Sequence, residues 1–253
     1  MQIVIEYLPD GVSLWAALFV VIAAFFSSGL TAAYSLGGGL ALLAVMTTIF
    51  PPAAVVPVHG VAQLGSNASR MVILRKSVMW PMLLWFAIGG FWGAALGGQI
   101  AVTLPVAALR LAVGFFVLYT VWGPRPPRFS VGPRTLFATG VVSSFVSMFV
   151  GAMGPIVATL LSTMKLDRMA FVGTHAACMT AQHSLKIAVF GVLGFAYGEW
   201  AAIIVMLVIA SYLGTRIGAA FLRRMPEHVF RAGFRWIMTI IGVYLLIGGV
   251  MAF

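Results

Sequence analysis

Acidic side chains are nearly missing from this chain: Asp and Glu number 5 against 15 Lys and Arg, and charged residues of both signs fill only 8% of its 253 positions. A soluble domain of this length has roughly a quarter of its residues charged, so the deficit excludes an ordinary water-facing surface. The acids are Glu6, Asp10, Asp167, Glu199 and Glu227, all in or beside loops. No carboxylate is left inside an apolar segment to bind a metal cation or relay protons. A single cysteine, Cys178, excludes an internal disulfide and all-cysteine metal motifs. There is no Walker loop, paired-cysteine motif or HExxH run, so ATP drive and zinc chemistry have no support and neither cofactor nor metal is expected. A net charge of +10 would suggest nucleic acid in a soluble domain, but here Lys and Arg sit at the ends of apolar runs, where membrane orientation puts them. No nucleic-acid site is expected. The first apolar run has no Lys or Arg before it, unlike a signal peptide, and reads as a retained segment.

What the chain has instead is apolar length. With 62% hydrophobic residues it divides into ten apolar segments, at 12–34, 37–50, 53–73, 81–102 and 106–122, then 135–150, 154–164, 170–190, 198–222 and 228–253. Runs of about 20 apolar residues match the hydrocarbon core of a bilayer, so the fold class is an all-α integral membrane protein. Between the fifth and sixth segments, residues 123–134 are rich in Pro and Arg and read as a loop.

The two sides of that loop partly repeat each other. Shifted by 116 residues, Ser27 and Ser28 align with Ser143 and Ser144, Gly38 with Gly154, Thr47 with Thr163, His59 with His175, Asn67 with His183 and Arg70 with Lys186. Beyond an insertion the shift is 121, pairing Gly93, Gly97, Pro105 and Arg110 with Gly214, Gly218, Pro226 and Arg231. The loop charges of the halves do not match. With the Pro/Arg loop in the cytoplasm, Arg70, Arg75, Lys76, Lys165, Arg168, Arg216, Arg223, Arg224, Arg231 and Arg235 all fall inside, and only Arg110 and Lys186 fall toward the other face. An odd number of segments per half satisfies that count. The expected architecture is therefore two inverted-topology repeats of about five apolar segments, each with a Gly-broken half-helix, over residues 1–122 and 135–253 with 123–134 as cytoplasmic linker.

The short segments 37–50 and 154–164 would reach roughly 21 and 17 Å as helices, against a core of about 30 Å. Each follows a break, Ser35-Leu36-Gly37-Gly38-Gly39 or Gly151-Ala152-Met153-Gly154-Pro155. Gly-interrupted half-helices at matching places point to a transporter's binding site, although close helix packing also uses glycine. Packing is the better reading for Gly89, Gly93 and Gly97 and for Gly214 and Gly218. Ser27, Ser28, Ser143 and Ser144 stand beside the breaks as secondary candidates, with bonds to their own helix backbone as the plainer role.

The third segment of each half carries a polar stripe. His59, Gln63, Asn67 and Arg70 share one helix face, and His175, Met179, His183 and Lys186 repeat the spacing. Such a stripe faces a cavity or pathway unless it serves as interhelical glue at about 1 kcal/mol per bond. Arg70 and Lys186, at the stripe ends, have stems that can snorkel to an interface and rank below the histidines. Imidazole, hydroxyl, amide, half-helix N-termini and nearby cations, with no fixed negative charge, suit an oxyanion. Without a membrane carboxylate, proton coupling would fall to an imidazole, with His183 leading because it sits one turn from Lys186, or to the anion itself.

The Gly37-Gly38-Gly39 break, the Pro57-Val58-His59-Gly60 start of the helix bearing Gln63, Asn67 and Arg70, and the later Gly154-Pro155, Thr174-His175, His183 and Lys186 resemble the sulfite exporter TauE/SafE family of bacterial permeases. The resemblance covers nearly the whole chain, with loose motifs. It implies a multi-pass carrier in the bacterial inner membrane for sulfite or organosulfonates, in either direction. His59 and His175 depart from the small hydroxyl residues of the commoner family pattern. The expected function is a secondary transporter for small sulfur-containing anions, with substrate bound by Gly37, Gly38, Gly39, Gly154, the four serines and the two stripes. Its partners would be that anion and the lipid bilayer, with a homo-oligomer left open. A passive anion channel is the first alternative, and an intramembrane enzyme using the paired histidines as acid and base is the second.

Overall fold

The structure, a computed structural model, describes residues 8–9, 11–34, 37–101, 103–124, 131–164, 166–218 and 227–252. Ser35 and Leu36 of the first break, residues 125–130 of the Pro/Arg loop, and Glu6, Asp10, Lys165, Arg223, Arg224 and Pro226 lie outside them. Among the described residues there are ten α-helices and no strand. They are α1 (Leu14–Tyr34), α2 (Gly38–Ile49), α3 (Pro52–Ile73), α4 (Trp80–Ala101), α5 (Val106–Trp122), α6 (Pro133–Val150), α7 (Gly154–Ser162), α8 (Arg168–Val192), α9 (Ala201–Leu213) and α10 (Glu227–Val250). Each of the ten apolar segments of the sequence thus carries one of these helices. The ninth differs in detail: a 3-10 turn at Tyr197–Trp200 leads into α9, which continues as a π-helical turn at Gly214–Gly218.

Pro and Gly set the boundaries. Pro51 and Pro105 precede α3 and α5, and Pro133 and Pro155 lie in the first turns of α6 and α7, where a missing N–H costs no intrahelical bond. Gly37, at φ 92°, starts α2, and Gly151, at φ 81°, ends α6; both occupy left-handed backbone that side chains resist. With 12 and 9 residues, α2 and α7 are about 18 and 14 Å long, too short to cross a bilayer. Asp167 caps α8 by accepting hydrogen bonds from the backbone N–H groups of Met169 and Ala170.

Four helical stretches, Leu14–Ala32, Trp80–Ala101, Pro133–Val150 and Tyr197–Ile217, are long and apolar enough to span a bilayer. Large apolar side chains face outward from them, among them Trp15, Phe19, Ile22 and Phe26 on α1 and Leu84, Ile88, Phe91 and Trp92 on α4. An apolar exterior of this extent is what lipid solvates and water does not. The chain is a multi-pass membrane protein.

The packing pattern survives exchange of the halves. Helix α4 lies along α6 as the π turn and α9 lie along α1; α8 touches α4 as α3 touches α9; α3 pairs with α8, and α5 with α10. Glycines set the closest approaches. Gly89, Gly93 and Gly97 press on the carbonyls of Phe137, Val141 and Phe145 of α6, and Gly214 presses on that of Phe25 of α1. Gly93 and Gly214 are aligned in the repeat, and so are Val141 and Phe25, which makes one backbone contact recur in both halves. The packing reading of these glycines holds; the side-chain surroundings of Gly218 are outside the description.

Candidate functional site

Helices α3 and α8 lie against each other with both polar stripes inward. His59, Gln63, Asn67 and Arg70 of α3 are buried, as are His175, Met179, His183 and Lys186 of α8. In α3 the stripe follows Pro57, which has no N–H for the carbonyl of Ala53, so the helix is weakened just before His59. The rings of His59 and His183 meet edge to face, 6.1 Å between centroids.

Between these faces and the starts of α2 and α7 lies a cavity of about 40 Å³. By the same measure a water takes about 10–15 Å³, so it has room for a few waters or one small ion. His59, Gln63, Asn67, Arg70, His175 and His183 line it, with Gly37 and Gly39 at the start of α2 and Gly154 at the start of α7. Both short helices thus turn their N-termini toward it, where unpaired N–H groups and the helix dipole attract negative charge. Each histidine is tied to the half-helix of its own repeat: His59 Nε2 is 2.8 Å from the carbonyl oxygen of Gly39, and His175 Nε2 is 3.1 Å from that of Gly154.

Lys186, the four serines and Gly38 stand outside that lining, while Arg70 is part of it. Lys186 and Arg70 do not snorkel. Lys186 is 0% exposed, its stem runs against Gly60 of α3, and its Nζ donates to the Gly151 carbonyl at 2.7 Å, in the break between α6 and α7. Arg70 is 6% exposed and donates to the side-chain oxygen of Asn67 at 2.7 Å and to the Thr31 carbonyl at 3.3 Å, while its Nε has no partner. Among the four serines, Ser27 donates to the Ala24 carbonyl, the plainer role weighed for it. Ser28, Ser143 and Ser144 are buried outside the cavity lining with no partner for their hydroxyls, and Ser144 abuts Gly90 of α4. Gly38 is a contact glycine too, set against the Ser27 carbonyl and the Thr31 hydroxyl.

Thr31, Leu40, Ala152, Met153, Pro155 and Met179 also line the cavity, and of these only Met179 lay on a stripe. The 116-residue shift pairs Thr31 with Ser147 and Ser66 with Gln182, and all four are buried polar residues. Extending the alignment to every polar pair was the signal that could have found Thr31.

The electrostatic balance is one-sided. The described partners of Arg70 and Lys186 are neutral oxygens, and Asp167 and Glu199 are exposed at helix ends. The Arg70 guanidinium therefore lines, and the buried Lys186 side chain stands behind, a small cavity of imidazoles, amides and helix N-termini, a set of groups that suits an anion. Residues 17–245 match the family described as Sulfite exporter TauE/SafE. The chain belongs to this family. No curated protein and no solved structure matches it. As a TauE/SafE member it is a membrane transporter, of the class that carries sulfur anions such as sulfite, and not an enzyme. The acid-base alternative for the histidines falls with that membership.

Proposed function

We propose that this protein is a secondary transporter whose substrate is a compact sulfur oxyanion, bound in the cavity between the starts of α2 and α7 and the polar faces of α3 and α8. The observation that carries this reading is the pair of buried basic side chains, Arg70 in the cavity lining and Lys186 behind it, with no described carboxylate beside them. A cavity of about 40 Å³ favours sulfite, thiosulfate or sulfate over a longer organosulfonate. Uptake into proteoliposomes of those three anions, with sulfoacetate and isethionate alongside, tests it. Saturable flux with counterflow is the expected result. Flux that rises without saturation marks a channel instead, and no flux for any of the five overturns the reading.

His59 and His175 tie the half-helices to the cavity, so His59→Ala and His175→Ala each lower saturable flux about tenfold, as expected when the lost ring leaves a half-helix carbonyl unsatisfied at a cost of about 1–3 kcal/mol. Monodisperse, extractable protein with wild-type flux in both would return the two rings to a packing role.

Residues 1–122 and 135–253 act in this proposal as inverted repeats that rock against each other around the site. The exchange-symmetric packing of the two halves supports it. A cysteine at Ser130 is expected to react with an impermeant thiol reagent only from the cytoplasmic side, and one at Ala196 only from outside, because an odd number of passes separates them in this arrangement. Cys178 is buried and gives no background. Labelling of both positions from the same side rules the inverted arrangement out.

A further inference from the structure

Among the described residues of the cavity, His59 presents an unpartnered acceptor where an anion needs a donor. His59 Nε2 lies 2.8 Å from the Gly39 carbonyl oxygen, and a carbonyl only accepts, so the ring hydrogen is on Nε2 and committed to the backbone. In the neutral ring Nδ1 then carries a lone pair. That atom is buried and has no partner, on a residue that is 0% exposed and lines the cavity. A fully ionised oxyanion offers only acceptors and meets this nitrogen lone pair to lone pair. Contact between them becomes favourable when one proton lies between them, either as O–H donating to Nδ1 or as Nδ1–H donating to the anionic oxygen. The two forms contain the same number of protons and no covalent bond is made or broken beyond that transfer.

On the proposed transport reading, we infer that each oxyanion is bound with one proton held between it and His59 Nδ1. The substrate class is then a hydrogen oxyanion, or a dianion that takes up a proton on binding; Arg70, whose Nε is a buried donor without a partner, lines the same cavity. The titratable and charged groups around His59 are Arg70 on its own helix and His175, His183 and Lys186 on α8, while α2 and α7 contribute none. Among the rings, His59 is singled out because its one hydrogen is tied to the backbone and its second nitrogen is orphaned. His175 shares the first property, and His183 Nδ1 the second.

Calorimetric titration of the purified full-length protein with sulfite, in two buffers of different ionisation enthalpy at a pH where free sulfite is the dianion, counts protons directly. Uptake of about one proton per sulfite is expected, with apparent affinity falling about tenfold per pH unit in that range. His59→Asn places an amide N–H where Nδ1 stands, so it is expected to bind sulfite with the proton uptake gone and the pH dependence flattened. Sulfite binding to wild type without proton uptake overturns the inference while leaving the transport reading intact, as does full uptake in the variant. If none of sulfite, thiosulfate, sulfate, sulfoacetate and isethionate binds wild type, the transport reading fails and takes this inference with it; if another of them binds and sulfite does not, the inference alone is overturned. The wild-type titration decides without the variant if the latter does not fold.

Discussion

Lys186→Met is expected to cut transport by at least about thirtyfold while leaving the protein as stable as wild type. A buried ammonium costs several kcal/mol of lost hydration, and its bond to the Gly151 carbonyl returns about 1.5–3 kcal/mol. Methionine keeps the stem that fills the space against Gly60 and removes both terms, so folding has little to lose. Transport has more to lose. At an effective dielectric of about 20, a cation one helix spacing from an anion, about 8–10 Å, attracts it by about 2 kcal/mol, or roughly thirtyfold in binding. Freeing the Gly151 carbonyl also loosens the break that presents the start of α7. Proteoliposome flux and a thermal melt on the same preparation check both halves of the prediction. Wild-type flux removes Lys186 from the site's electrostatics, and a melting point lowered by more than a few degrees makes its role structural.

Gly93→Val is expected to destabilise the protein by about 3 kcal/mol or more, a drop of roughly 6–12 °C in melting temperature for a chain of this size. Any Cβ at Gly93 lands on backbone atoms of Val141 and Phe145, which cannot turn aside as a side-chain tip can, so α4 and α6 must separate. Small residues that let backbones touch are the main source of helix association where lipid is as apolar as the core. Gly198→Ala is the control, since nothing lies within 4 Å of a Cβ there, and it should melt as wild type does. Equal melting points for the two variants would show that the α4–α6 contact can relax, and that the recurring Gly93 and Gly214 contacts do not set the packing.

Helix positions were legible because they follow from local chemistry. Gly37 and Gly151 adopt backbone that other residues resist, Pro51, Pro105 and Pro133 mark helix starts, and the apolar runs between them must satisfy their own backbone in lipid by forming helices. The stripes were legible for the same reason, since a 3.6-residue period places His59, Gln63, Asn67 and Arg70 on one face whatever the neighbours. The π turn at Gly214–Gly218 was not, because it lies where the end of α9 meets the backbone of α1 at Phe25.

The candidate site divides along the same line. From its residues alone the chain determined that it is an all-helical membrane protein, that two faces rich in donors and poor in acids lie inside it, and which family it resembles, because composition and period act residue by residue. Only the tertiary structure decided which of those residues share a cavity. A long side chain on a helix can turn to lipid headgroups or to a neighbouring carbonyl with equal local ease, and it was the approach of Gly60 and Gly151 that sent Lys186 inward. Likewise Ser144 and Gly38 spend themselves on helix contacts while Thr31 and Met153 reach the cavity. That outcome depends on distances between segments far apart in the chain, which no single segment encodes.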